Sequence, residues 1–131
     1  MKHSEITAFG TGLAITSSNH NWIADNVLSG DNDGLLIGSG ARNTVLSNDA
    51  RNSFEDGISV GAAAIRTTLI ANHATGNEDG IDVESPSSVL IANTVNANRD
   101  YGIEAVPGVT AIANRASGNG NPAQCLNVRC R

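Results

Sequence analysis

Residues 80–98 read GIDVESPSSVLIANTVNAN. Ile81 and Val83 alternate with Asp82 and Glu84, the period of two that marks a half-buried strand. The apolar run Val89 to Ala92 then ends at Asn93, Val95 follows two residues on, and a polar turn reaches Asn98. The same unit recurs along the chain. Glycine followed by an aliphatic residue stands at Gly12-Leu13, Gly34-Leu35, Gly57-Ile58, Gly80-Ile81 and Gly102-Ile103, with spacings of 22, 23, 23 and 22. Asparagine keeps step at Asn26, Asn48, Asn72, Asn93 and Asn114, and a second polar column runs through Asp31, Ser53, Asn77, Asn98 and Asn119. Five units result. No segment has the eight or more residues at period 3.6 that a helix needs. Short strands at a fixed period, with no helix between them, can stack only as successive turns of a coil.

A turn of ~22 residues at ~3.3 Å each has a contour near 70 Å, enough for three short faces around a narrow interior. Five such turns, ~4.8 Å apart, make a rod about 24 Å long. The predicted fold is therefore all-β, a right-handed parallel β-helix of about five coils with three short parallel sheets. The 131 residues form a single domain: residues 1–11 are an N-terminal edge, 12–121 the five repeats and 122–131 a C-terminal cap. Composition agrees. Aromatics are 3% of the chain (Phe9, Trp22, Phe54 and Tyr101), whereas Gly contributes 14 residues and Asn 16, so the core must be built from Ala, Val, Ile and Leu. At the corners, Asn tolerates the left-handed backbone, and stacked amides hydrogen-bond along the axis. Ile6 and Phe9 are placed to cover the open N-terminal core.

The pattern of Gly-aliphatic-x-aliphatic followed by an aliphatic run ending in Asn resembles the right-handed parallel β-helix repeat of the pectate-lyase-like superfamily. Within it the pattern is similar to the short repeats of carbohydrate-binding proteins, sugar hydrolases and NosD-like periplasmic proteins. The resemblance covers residues 12–121. It implies the fold and leaves the activity open, because this scaffold carries lyases, hydrolases, epimerases, adhesins and spacers alike.

The net charge is −5 and the eight basic residues are scattered, so the cluster that nucleic-acid binding requires is missing. The longest apolar run, Val89 to Ala92, is far short of the ~20 residues of a membrane helix, so no membrane insertion is expected. Met1 to Glu5 has no apolar stretch behind it, and no signal peptide is expected in this chain. Cys125 and Cys130 lack two further ligands for zinc and are expected to pair as a disulfide that pins the C-terminal segment. That places the protein outside the cytoplasm, secreted or periplasmic.

Carboxylates are the main candidates for chemistry. Asp33, Asp56 and Asp79 precede the repeat glycines, Tyr101 takes the fifth place beside Asp100, and Asp82, Glu84 and Glu104 occupy outward strand positions. Stacked coils gather them on one face. Asp79, Asp82, Glu84 and Glu104 are candidate acid/base residues, and Asp56, Asp100 and Tyr101 candidate ligand contacts. The same face would suit calcium, the one cofactor considered, while a solvated edge of Asp-Gly turns explains the acids equally. Asp31-Asn32-Asp33-Gly34 fails as a calcium loop, since Ser29 and Gly40 fall where ligands belong. Gly57-Ile58-Ser59-Val60-Gly61 matches a serine-hydrolase expression, but Ser59 sits in a strand slot held elsewhere by Ala14, Leu36, Asp82 and Glu104. His3, His20 and His73 lack partners at ligand spacing, and no metal site is assigned.

Ile23-Ala24, Val45-Leu46, Leu69-Ile70, Leu90-Ile91 and Ala111-Ile112 are adjacent apolar pairs. Either a bend turns both members inward or one member of each forms an outward stripe for a homo-oligomer or a parent-protein domain. The function expected first is a non-catalytic extracellular module, structural or polysaccharide-associated. A lyase, hydrolase or epimerase using the acidic face is the alternative, with Arg99 the nearest base and Trp22 and Tyr101 the only rings for stacking on sugars. A piece of a longer spike or adhesin solenoid is the third.

Overall fold

The computed structural model describes residues 1–7, 10–29 and 32–131. Phe9, expected to cover the N-terminal core, and Asp31, expected to open the second polar column, lie outside them. In chain order the strands are β1 (Glu5–Thr7), β2 (Leu13–Ile15), β3 (Trp22–Ala24), β4 (Val27–Ser29), β5 (Leu35–Ala41), β6 (Thr44–Leu46), β7 (Asp49–Arg51) and β8 (Ile58–Ile65). They continue as β9 (Thr68–Ile70), β10 (His73–Thr75), β11 (Ile81–Val83), β12 (Val89–Ile91), β13 (Thr94–Asn96), β14 (Ile103–Ala105), β15 (Thr110–Ile112) and β16 (Arg115–Ser117). They form three walls, all parallel: β2-β5-β8-β11-β14, β3-β6-β9-β12-β15 and the six-stranded β1-β4-β7-β10-β13-β16. Every third strand pairs, as successive turns of a three-walled coil require. The chain is a parallel β-helix. Residues 5–7, read from sequence as part of an edge, add a full strand in register with β4.

The repeat sets the register. Leu13, Leu35, Ile58, Ile81 and Ile103 stack in one wall, and Val45, Leu69 and Leu90 in the next, with Leu35, Ile58, Ile81, Ile103, Val45, Leu69 and Leu90 fully buried. In the third wall the inward column is mostly small, Ala50, Ala74, Val95 and Ala116. This keeps the interior narrow. One register shift, between Ile37 and Ser39, lets β8 carry an extra residue opposite β5. That bulge absorbs the longest asparagine interval, from Asn48 to Asn72.

Asn26, Asn48, Asn72, Asn93 and Asn114 are each at most 1% exposed. From Asn26 through Asn93, both the backbone N–H and Nδ2 of each rung donate to Oδ1 of the next, at 2.8 to 3.1 Å. The left-handed corner, however, is not taken by Asn. It falls on the residue before it: Asp25, Ser47, Ala71, Ala92 and Ala113 have φ of 53–56°. The asparagine is needed for its amide, and a neighbour bears the strained backbone. The second column repeats the device through Asn77, Asn98 and Asn119, and Gln124 supplies the final rung by accepting from Asn119 N–H and Nδ2. At Ser53 the hydroxyl is too short to reach, and its Oγ is buried without a partner among the described residues.

The adjacent apolar pairs resolve outward. Leu46, Ile70 and Ile91 are half-exposed and Ile112 is exposed, so they form an aliphatic column on the outside of the β3-β6-β9-β12-β15 wall. Ala24 alone is buried, because its N–H donates to the Met1 carbonyl at 3.0 Å and the N-terminal residues cover it. At the other end, Cys125 bridges to Ile103, and Ala116 N–H donates to Arg131 O at 3.0 Å. The Cys125–Cys130 disulfide is formed and closes this segment over the last coil.

Candidate functional site

Three columns of outward positions meet along one edge of the β2-β5-β8-β11-β14 wall. The residues before the repeat glycines stack as Asp33, Asp56, Asp79 and Tyr101, with Gly34 N–H donating to Asp56 O (3.0 Å) and Gly57 N–H to Asp79 O (2.9 Å). One residue earlier, the stack runs Asn32, Glu55, Glu78, Asp100 and Asn121. It is linked by N–H donation from Glu55 to Asn32 O, Glu78 to Glu55 O, Asp100 to Glu78 O and Asn121 to Asp100 O (2.8 to 3.0 Å). The third column is Ala14, Leu36, Ser59, Asp82 and Glu104 in register. Adjacent rungs are ~4.8 Å apart, so carboxylates sit directly above carboxylates.

The columns line a cleft of about 480 Å³ formed by Glu55, Asp56, Glu78, Asp79, Asp82, Glu84, Glu104, Ala105, Val106, Pro107, Leu126 and Asn127. The last two come from the C-terminal segment: Leu126 N–H donates to Ile103 O (2.9 Å) and Asn127 Nδ2 to Ala105 O (2.7 Å). The disulfide therefore holds one wall of the cleft. Asp56, Asp79, Asp82, Glu84 and Glu104 are brought together as expected. Asp100 and Tyr101 stand beside the cleft instead of lining it: Asp100 Oδ1 accepts from Asn121 Nδ2 (2.9 Å), and Tyr101 backbone N–H donates to Asp79 Oδ1 (2.6 Å). Trp22 lies outside on another wall, and Arg99 is committed to the Ser53 and Phe54 carbonyls. Glu55 and Glu78 were missed in sequence, although the repeated Glu-Asp-Gly at 55–57 and 78–80 carries the signal. Leu126 and Asn127 had none, because they fall outside the repeat.

Crowding raises the carboxyl pKa values. Asp56 is pushed up to about 7, chiefly by burial, then by the charges of Asp82, Asp33, Asp79 and Glu55. Burial leads again for Asp79, at about 6, against the Tyr101 N–H that lowers it, with Glu104 and Asp100 adding repulsion. Asp82 reaches about 6 through burial, Glu104 and Glu84, and Asp33 is raised by burial more than the Asp56 N–H lowers it. Each folded pKa lies above its unfolded value, so the native state binds more protons across roughly pH 4–7 and loses stability as pH rises through that window. The groups are half-exposed and screened, leaving on the order of 1–2 kcal/mol. Thermal melts are expected to show Tm several degrees lower at pH 8 than at pH 5, and Asp56→Asn should flatten that slope and raise Tm at pH 8. A Tm that is flat or rises with pH would contradict the crowding.

A three-walled parallel β-helix with an acidic cleft on one edge is the class this geometry defines. Over residues 1–120 the chain matches the family described as "Periplasmic copper-binding protein (NosD)", and it belongs to that family. No curated protein matches it. Among solved structures, a double mutant of the periplasmic alginate epimerase AlgG superposes with a TM-score of 0.81 at 18% identity. The match covers 92% of this chain and 34% of that one, so the chain spans about a third of the AlgG chain and shares its fold.

Copper, named in the family description, favours imidazole, thiolate and thioether donors. Here His73 is on β10 facing Asp49 (3.4 Å), His3 and His20 lie elsewhere, and both cysteines are oxidised. Among the described residues no three of His, Cys, Asp and Glu converge on one point. The donor set does not fit copper. The cleft acids line a groove instead of enclosing an ion.

Proposed function

We propose that the chain is a non-catalytic, extracytoplasmic β-helix module that holds a polysaccharide of neutral or amino sugars along its acidic cleft. One observation carries this: seven carboxylates line the cleft and no cationic side chain does. Such a groove repels uronate polymers and attracts hydroxyl donors and protonated amines. Retaining like charges one rung apart costs stability, the mark of a surface kept for binding. Acid/base catalysis needs two carboxyls in contrasting surroundings, whereas burial and like-charged neighbours raise Asp56, Asp79 and Asp82 alike. The family's periplasmic description and the disulfide support the location.

Calorimetric titration with glucosamine oligomers at pH 6 tests the proposal, with alginate oligomers, neutral glucan oligomers and calcium chloride as comparisons. Glucosamine oligomers are expected to bind, more weakly at high salt, and to lose at least tenfold in affinity with Asp82→Asn combined with Glu104→Gln. Tighter binding of alginate, or turnover of any of these sugars, would make the cleft an enzyme's. Heat from calcium alone would make it a cation site.

A further inference from the structure

We propose that the N-terminal end of the solenoid pairs with the same end of a second copy of this chain, as a weak two-fold dimer. The two ends of the rod differ. At the C-terminal end, Cys125 bridges to Ile103, Gln124 completes an amide ladder and Arg131 pairs with Ala116 and Asn114, so that end is closed. At the N-terminal end, β2 is the outermost strand of its wall. Leu13 N–H donates to Gly34 O (3.1 Å), so the alternation of a parallel strand turns the N–H and C=O of Ala14 away from β5, off the free edge. Ala14 is exposed.

The core is also open there. Ile6, Leu13 and Ile15 occupy inward positions but are only half-buried, while Leu28, Leu35 and Ile37, one coil further on, are 0% exposed. Asn21 begins the third corner: its N–H and Nδ2 both donate to Asn43 Oδ1 (2.9 Å), and among the described residues no donor reaches its own Oδ1. An unpaired strand edge, an uncovered aliphatic cluster and a free amide acceptor all face the same way.

A head-to-tail partner would need an open tail, and the tail is sealed. A like end offers what is missing, because antiparallel edge pairing exchanges N–H and C=O symmetrically and a two-fold contact closes on itself. Charge permits it: Lys2 pairs with Asp25 at 3.9 Å and the terminal ammonium lies beside Glu5, so the end carries both signs, while the cleft acids belong to later coils. The end face of a coil with a ~70 Å contour offers a few hundred Å² per protomer. That is below the ~800 Å² of a standard partner surface, so the dimer is expected in the tens-of-micromolar range.

Sedimentation velocity between about 1 and 300 µM is expected to show the 13.4 kDa chain moving toward twice that mass. Ala14→Pro removes only an N–H that points off the sheet and is tolerated on an edge, and it should weaken association at least tenfold with an unchanged circular dichroism spectrum. Ile112→Glu, on the outward aliphatic column, should leave association intact. Amide exchange at Ala14 in the unmodified chain should slow as concentration rises, a readout that needs no variant. A chain that stays monomeric at 300 µM, or a dimer broken by Ile112→Glu and not by Ala14→Pro, overturns the proposal.

Discussion

Replacing Asn72 by alanine is expected to cost about 3–5 kcal/mol and to lower Tm by 10 °C or more in reversible thermal or urea unfolding. Asn72 sits mid-ladder and is 1% exposed. Its Oδ1 accepts from Asn48 N–H (2.9 Å) and Nδ2 (3.1 Å), and its Nδ2 donates to Val45 O (3.0 Å) and Asn93 Oδ1 (3.0 Å). Alanine strands the Asn48 N–H and the amide's share of the Val45 carbonyl in a site that water does not reach. Asn93 Oδ1 keeps the Asn72 backbone N–H (2.9 Å), so damage on that side is smaller. The converse change is Ser53→Asn, which supplies an amide where a buried hydroxyl has no partner and should stabilise by about 1 kcal/mol. An Asn72→Ala variant within 1 kcal/mol of the unmodified chain would mean that the ladder is decorative.

Gly80→Ala should be worse and is expected to leave little folded protein at 37 °C. A Cβ at position 80 would stand 2.6 Å from Gly102 O, 2.7 Å from Asn98 Nδ2 and 3.0 Å from Val95 Cβ. Two of these three contacts are closer than real Cβ atoms come, and the nearest is backbone, so relief requires prying two coils apart. Gly57 is in the same position against Gly80 O at 2.6 Å. The repeat glycines are therefore fixed by how closely one coil approaches the next. Gly10→Ala, where a Cβ meets nothing within 4 Å, is the matched control and should change stability by less than about 0.5 kcal/mol. Equal effects at the two positions, measured by circular dichroism and soluble yield, would refute the steric account.

The three walls, the two asparagine columns and most of the cleft acids were legible because an in-register solenoid turns a sequence interval directly into a spatial neighbour. Asp82 and Glu104 had to meet once Ile81 and Ile103 were assigned inward. What escaped notice lacked a repeated letter. The third corner descends through Asn43, Thr67 and Ser88, all buried, and changing residue types hid it. The left-handed corner is borne by Ala71, Ala92 and Ala113, whose type advertises no such conformation. Leu126 and Asn127 reach the cleft from the aperiodic cap, and only the fold brings them back along the wall of β14.

The register has a kinetic meaning as well. Almost every tertiary contact joins residues one coil apart, about a sixth of the chain length, however far along the rod it lies. No pairing has to wait for the two termini to find each other. Folding should run as a zipper from any pair of coils that forms first, each new turn closing a loop of the same modest size. The disulfide-closed end, anchored by bonds from Arg131 back to Asn114, is the natural place for that zipper to finish.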